Sequence, residues 1–513
     1  MLHGPTATEC LRRLEAGELS AVELCEATLA QIETADRELN AVAALGGEAV
    51  LAAAAEADAA RRVGSRAPLL GLPVTVKDTI AVRGLPFQSG SLARAGYVAG
   101  EDATVVARLR AAGAIVAAKT AVPEYAWSYE TESMLHGRTL NPFDPARTSG
   151  GSSGGEGALI GCGASPAGIG TDGGGSIRVP SHYNGIVGLR PTAGLVPETG
   201  SWPTTRDTGM LDMVCIGAMA RSVDDAALLL EVIAGRDGRD PFVAAAGYAG
   251  RHRSVDVARL RVGFYVQDGV WPASAETEEA VRRAAAALEE RGAAVEAVVP
   301  PPLEQANDLF FRMMAADGGA RARADLAPAG GRHTEQMLFV LDLTRDFSVS
   351  AEAFFALLGR WAAFRSRVRL FLGRYDVVLS PVTPAPAPLH GCQPGDEPLE
   401  SYLPWANVMA YSIAGVPAVV VPAGAQEGLP IGVHIAANPF ADEVALAAGA
   451  AVETSLGGYA ILSAPLLARA GSGSELATGS ALCSESALAN HPPDQGAVRR
   501  TGRPRLDKED RLA

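Results

Sequence analysis

Lysine is almost missing from this chain: 44 of its 513 residues are basic, but the lysines are only Lys77, Lys119 and Lys508. Arginine stays protonated in proteins, so candidates for a basic amine are few. Cysteine is sparse as well, and Cys10, Cys25, Cys162, Cys215, Cys392 and Cys483 show no CxxC or other ligand-like spacing. That pattern argues against a zinc site or a disulfide framework and predicts buried free thiols in a reducing compartment. No uninterrupted apolar run reaches the ~20 residues of a membrane span. The opening MLHGPTATEC lacks the basic segment and apolar core of a signal peptide, so a soluble cytoplasmic chain is expected. Excess positive charge is also lacking. A net charge of −14 and a pI near 5.2 disfavour nucleic acid as a partner.

The chain does have apolar bulk, 48% of residues against 20% charged, enough for a large core. Length alone allows two or three domains. The periodicity favours one, because helical and strand patterns alternate as in a sheet covered by helices on both faces. Thr6-x-x-Glu9 and Ser20-x-x-Glu23 fit capping boxes and predict two helices between Thr6 and Leu45. An alanine-rich helix follows from Ala49 to Arg62. GLPVTVKDTI reads as a buried strand ending at Lys77, and the glycine- and serine-rich loop from Arg83 to Gly96 is expected over one wall of a site. Asp102 to Ala112 reads as a helix, GAIVAAKT as a strand, Ser222 to Gly235 as a capped helix. Leu260 to Pro300 reads as strand, helix, strand. Leu303 to Arg369 is helical and carries Phe310, Phe311, Met313, Met314, Phe354, Phe355, Trp361 and Phe364, most of them read as core. YDVVLSP, PAVVVP and GLPIGVHIAA read as strands, and Ala441 to Glu453 as a last helix. Beyond Pro465 the composition turns to Gly, Ser, Pro and scattered charge, including RRTGRPR, and predicts a disordered tail over 466–513.

Arg147 to Pro191, RTSGGSSGGEGALIGCGASPAGIGTDGGGSIRVPSHYNGIVGLRP, concentrates the chemistry. Glycine at this density costs entropy and is kept where backbone must approach something closely or turn several N–H groups one way. Two glycine-flanked serines, Ser152 and Ser176, suggest a nucleophilic hydroxyl, a partner hydroxyl and an oxyanion site. A base is needed. Lys77, at a buried strand end, would have its pKa lowered by desolvation; alternatively it pairs with Asp78 at the surface. Lys119 is the competing base. Gly168-Ile-Gly170-Thr-Asp-Gly173 matches the dinucleotide fingerprint, but Gly174, Gly175 and Pro180 follow where a helix should open, and no acid lies between Gly173 and Glu198. Gly151-x-Ser153-x-Gly155 fits the nucleophile elbow of an α/β hydrolase, with His333, His390 and His434 downstream, and stays open on spacing alone.

GGSSGGEGALIG followed by GIGTDGGGSIRVPSHYNGIVGLRPT resembles the signature of the amidase signature hydrolases, and the likeness runs from about Thr6 to about Glu453. The resemblance implies one large α/β/α domain over 1–465 with a mixed, twisted central sheet. Within it lie N-terminal helices (1–62), a core with the catalytic loops (63–235) and a helical region (303–369) that walls the acyl pocket. It further implies a Lys-(cis)Ser-Ser triad in which Ser176 is acylated, Ser152 bridges after a cis peptide, and Lys77 is the base. On the same resemblance the N–H groups of Gly173, Gly174, Gly175 and Ser176 would form the oxyanion hole, with Ser153, Asp172 and Arg178 expected to shape the loops. The activity implied is hydrolysis of a small linear amide, with no metal or organic cofactor. The amidating component of a tRNA-dependent amidotransferase is the alternative, although such components usually carry small residues after GGSSGG, where this chain has Glu156-Gly157. Whether the chain is a monomer or a homo-oligomer stays open.

Overall fold

The computed structural model describes residues 4–204, 213–244, 247–392 and 399–461. In chain order the strands are β1 (Val42–Leu45), β2 (Pro73–Lys77), β3 (Ile115–Thr120), β4 (Glu132–Ser133), β5 (Gly137–Arg138), β6 (Ala167–Asp172) and β7 (Val187–Arg190). They continue as β8 (Cys215–Ala220), β9 (Arg261–Phe264), β10 (Ala294–Ala297), β11 (Val377–Pro381), β12 (Ala418–Gln426) and β13 (Leu429–Ala437). Among the described residues, eleven form one sheet in the order β1-β3-β2-β6-β8-β7-β12-β13-β11-β9-β10, while β4 and β5 pair separately. The sheet is mixed. β2 runs parallel to β3 and β6, and β9 parallel to β10 and β11. The remaining pairs in it are antiparallel.

Side chains alternate across a strand, and here both faces are buried. Val377, Leu379, Val419 and Val421 join one apolar cluster with helices Val223–Ile233, Ala275–Glu289 and Asp442–Leu456. Val378, Ala418 and Val420 join another with helices Ala306–Met314, Ala351–Leu372 and Ala406–Ala414. The fold class is the α/β architecture expected, a large mixed sheet with helices on both faces.

Local signals hold where they are local. Ser20 and Glu23 close a full capping box on helix Ala21–Leu39. Thr6 caps helix Ala7–Glu15 alone, because Glu9 turns instead to Arg12 at 2.9 Å. Ser222 caps the helix at Val223–Ile233 with Asp224 and Asp225 in its first turn, as dipole and capping arguments require.

Four expectations are corrected. Val42–Leu45 is not helical but pairs antiparallel with β3, a partner more than seventy residues away that local pattern cannot reveal. Residues 83–96 do not wall the pocket described below; they wrap Asp78 and Lys119, with Gln88 N–H donating to Asp78 and Lys119 Nζ to Pro86 O. Phe355 is 73% exposed rather than core. Cys10, Cys25, Cys162 and Cys215 are free, but Cys392 is disulfide-bonded; Cys483 and the expected tail lie outside the described residues.

Helix Ala351–Leu372 offers a direct check on which face it buries. Phe364 is fully buried and Phe355 is exposed. Phe364→Ala should cost ~3–5 kcal/mol and lower the thermal midpoint clearly. Phe355→Ala should stay within ~0.5 kcal/mol. Thermal unfolding of both variants checks the assignment, and equal effects would contradict it.

Candidate active site

The parallel pairing of β2 with β6 aligns Val76 with Ile169, so Lys77 ends one strand beside the Gly170–Asp172 end of the other. The glycines of β6 are explained by close approach rather than by phosphate binding. A Cβ on Gly168 would overlap the Glu156 carboxylate and Thr75, and one on Gly170 would meet Ser153 Oγ and Met219 sulfur at 2.9 Å. The next helix opens only at Arg178, not directly on Gly173 as the fingerprint requires, so the dinucleotide reading fails on structure as it does on sequence.

Lys77 is fully buried. Its Nζ lies 2.6 Å from Ser152 Oγ, 2.8 Å from Thr171 Oγ1 and 3.3 Å from Thr171 O. Burial pulls its pKa from 10.5 down to about 7, against the smaller opposing pull of Asp172 and Glu156. The surface pairing with Asp78 does not occur. Asp78 instead holds Lys119, whose Nζ sits 2.8 Å from Oδ1 with both side chains buried, and Lys119 lies outside the pocket that holds the two serines.

The Gly151–Ser152 peptide is cis. Glycine is required at 151, where a Cβ would strike Ser128 O. Ser153 N–H donates to Ser176 O at 3.1 Å, which ties the two serine loops side by side. Ser152, Gly173, Gly174 and Ser176 line one pocket, open to solvent at its mouth. Ser176 is partly exposed there, and among the described residues its hydroxyl makes no hydrogen bond. Lys77 and Ser152 are therefore in contact, whereas Ser152 and Ser176 share a wall without a hydrogen bond between their hydroxyls. Ser153 is fully buried, its Oγ directed at Thr171 O at 3.3 Å, with no histidine on it. An elbow nucleophile must face solvent, so the α/β-hydrolase reading fails.

Asp172 organises the loop that follows. Arg178 grips it through Nε and Nη2, each at 2.9 Å, and Arg190 Nε stands at 3.6 Å. Gly175 N–H donates to Oδ1 at 2.8 Å and Ile177 N–H to Oδ2 at 3.1 Å. Burial, the largest single influence, would raise its pKa, but the charge and hydrogen bonds of Arg178, the charge of Arg190 and the Gly175 N–H together outweigh it and hold the carboxyl well below the usual range. Gly175 N–H is thereby spent on Asp172, which corrects its place among oxyanion donors. The N–H groups of Gly173, Gly174 and Ser176 make no hydrogen bond among the described residues. Behind Arg178, Ser412 Oγ accepts at 2.6 Å and His434 Nε2 at 3.2 Å; burial keeps His434 neutral, so it can accept.

Sequence reasoning missed Thr171, which takes two contacts from Lys77, and Glu156, a buried acid that accepts from Thr75 Oγ1 at 2.6 Å and Thr120 Oγ1 at 3.1 Å. It also missed Tyr129, whose hydroxyl donates to Gly174 O and whose ring stacks on Trp405 at 4.6 Å. A polar residue inside an otherwise apolar strand or glycine-rich helix was the available signal for the first two. Phe310, Phe311, Met314 and Val340, from the helical region assigned to the acyl pocket, do line the cavity. Among the described residues no group of three or more His, Cys, Asp or Glu side chains is placed to hold a metal ion, and no helix is long and apolar enough to cross a membrane.

The family model named Amidase matches residues 23–446. The chain belongs to the amidase family. The A subunit of the glutamyl-tRNA(Gln) amidotransferase from Chloroflexus aurantiacus is 35% identical over 481 residues, covering 88% of this chain and 96% of that protein. Among solved structures, 6-aminohexanoate cyclic dimer hydrolase superposes with a TM-score of 0.80 at 28% identity, covering 90% of this chain and 99% of its own. A bacterial aryl acylamidase of the amidase signature family superposes at 0.79 with 27% identity, covering 88% and 96%. The chain is thus an amidohydrolase of the amidase signature type.

In this amidase the buried Glu156 sets a pH dependence of stability. Burial raises its pKa from 4.5 to about 8, against the hydrogen bonds of Thr75 and Thr120. Between those values the folded state holds a proton that the unfolded state has released, so Glu156 makes stability fall as pH rises through that window. Glu156→Gln should flatten this slope, read as the thermal midpoint from pH 5 to 8; an unaltered slope would assign the proton elsewhere.

Proposed function

We propose that this amidase cleaves linear carboxylic amides through an acyl-enzyme on Ser176. The observation that carries the reading is the dry amine of Lys77, 2.6 Å from Ser152 in the wall it shares with Ser176. A neutral amine has two N–H groups and one lone pair. With the N–H groups given to Thr171 O and Oγ1, the lone pair faces Ser152 and accepts its proton. Ser152 then accepts the proton of Ser176 once substrate draws the two hydroxyls together, and Ser176 Oγ attacks the carbonyl carbon. The negative oxygen is met by N–H groups of Gly173, Gly174 and Ser176, each such donor being worth ~3–4 kcal/mol of barrier. Collapse breaks the C–N bond as Ser152 returns the proton to the departing nitrogen. Water repeats the sequence, releasing the acid and restoring Ser176. Asp172 and Arg178 hold the loop in the shape that presents these donors, and Ser153 anchors the loop behind them.

The likeness to the glutamyl-tRNA(Gln) amidotransferase component supports a second reading, in which the chain releases ammonia for a companion protein. Purified chain that cleaves simple amides unaided favours the hydrolase; activity only with added partners favours the amidotransferase component.

Ser176→Ala should reduce turnover by roughly ten-thousand-fold or more with the fold intact. It should also abolish labelling by a fluorophosphonate. Residual labelling of the variant, located by mass spectrometry, would name a different nucleophile.

Because Lys77 acts unprotonated, kcat/KM should rise with pH through an apparent pKa near the value of about 7 set by burial. Lys77→Met should remove that limb and slow turnover by ~100- to 10,000-fold. The same variant should be more stable than the parent at pH 7, since no amine then has to be dried. A retained limb at the same pH would move the base to another residue.

A further inference from the structure

One peptide unit in the loop that carries Ser176 is held from both edges. Gly175 N–H donates to Asp172 Oδ1 at 2.8 Å, and Gly174 O, the opposite pole of the same unit, accepts the Tyr129 hydroxyl. The next two carbonyls are met by backbone, Val179 N–H donating to Gly175 O at 2.7 Å and Ser153 N–H to Ser176 O at 3.1 Å. Among the described residues, Tyr129 is therefore the one side chain that holds a carbonyl of this run. It comes from a segment more than forty residues away.

The need for a second anchor follows from the sequence. Residues 174 and 175 are both glycine, so no Cβ resists rotation of the plane between them, and Gly175 has a φ of +122°. Asp172 alone would fix one edge and leave the other free to swing. Gly174 N–H lies just before this unit and Ser176 N–H just after it, so their spacing depends on how the unit is held.

Tyr129 is itself fixed. Its ring lies on Trp405 with centroids 4.6 Å apart and planes 7° from parallel. Trp405 leads into helix Ala406–Ala414, whose Val408 would stand 2.7 Å from a Cβ on Gly175. Two residues beyond Tyr129, Thr131 Oγ1 donates to Gly150 O at 2.8 Å and accepts Gly154 N–H at 3.2 Å. The segment 129–131 thus touches both serine loops. Burial pushes the Tyr129 phenol well above its ordinary pKa, so it stays a donor at neutral pH.

Resting on the acyl-enzyme reading above, we propose that Tyr129 is a positioning residue for the oxyanion site, its hydroxyl locking the Gly174–Gly175 peptide so that the N–H groups on either side converge on the developing charge. Such donors act by preorganisation, so a loosened loop loses transition-state stabilisation while the bound amide is little affected.

Tyr129→Phe keeps the ring and its stacking and removes only the hydroxyl. With benzamide as substrate, kcat should fall by ~10- to 100-fold while KM stays within about threefold. The second readout is a pair of inhibitors. 2,2,2-Trifluoroacetophenone takes Ser176 Oγ onto its carbonyl carbon, the C=O electron pair moving to oxygen and the serine proton passing through Ser152 to Lys77. Acetophenone has a similar shape and is too unreactive to add. The parent should bind the fluorinated ketone far more tightly, and Tyr129→Phe should shrink that selectivity by a factor close to its loss in kcat. Inhibition constants and KM do not depend on how much of the variant is folded. An unchanged kcat, or equal weakening of both ketones, overturns the positioning role. Selectivity that is lost in Ser176→Ala and kept in Tyr129→Phe overturns that role alone. Selectivity kept in Ser176→Ala overturns the acyl-enzyme reading and the proposal with it.

Discussion

One buried carboxylate decides how the glycine loop presents itself. Asp172 takes N–H groups from Gly175 and Ile177 and a two-pronged guanidinium from Arg178. Among the described residues those bonds leave the N–H groups of Gly173, Gly174 and Ser176 uncommitted, so the loop is sorted into donors that hold it and donors that the proposed mechanism uses for the oxyanion. A charge-assisted network of this kind is strong only when every member is satisfied, because the same low dielectric penalises any orphan. Ser412 and His434 complete it behind Arg178, and His434 can do so only as a neutral ring. Removing the guanidinium would leave a buried anion, a larger loss than the pair itself contributes.

The sheet makes this arrangement available because β2 and β6 are parallel neighbours. Their shared end brings an amine from one strand and a carboxylate from the other to the base of the same pair of loops. Glycine at 168 and 170 then lets Glu156, Thr75 and Ser153 approach the backbone of β6. The helix Gly154–Gly161, fully buried and rich in glycine, packs where a bulkier helix could not. Glycine in this stretch serves packing in the strand and in the helix, and N–H presentation only in the loop between them.

Much of this is legible in the sequence. Caps at Ser20 and Ser222, the buried strand ending at Lys77, and the motif joining Ser152 to Ser176 are all carried by residues close in the chain. What is not legible depends on partners far away. Val42–Leu45 is a strand because β3 offers it an edge, and the loop 83–96 turns from the pocket because Asp78 and Lys119 demand its carbonyl and N–H groups. The division of N–H groups within one run of three glycines is hidden as well, since only the position of Asp172 distinguishes Gly175 from Gly174. Phe355 reads as core and is not, because hydrophobicity alone does not say which face of a long helix meets the core.

Lys77 and Glu156 show how one cause yields opposite shifts. Both are fully buried, and burial penalises whichever form carries charge, so the amine falls to about 7 while the acid rises to about 8. Their mutual attraction favours the charged forms and is the smaller effect in each case. For Lys77 a fall from 10.5 to about 7 corresponds to on the order of 5 kcal/mol of lost preference for the ammonium form. That is a large fraction of the ~5–15 kcal/mol by which a domain is typically stable. A fold selected for stability alone would place a methionine there. Under the proposed mechanism the lysine persists at a cost in stability because an amine ready to take a proton at neutral pH needs dry surroundings, and dry surroundings are what destabilise its charged form.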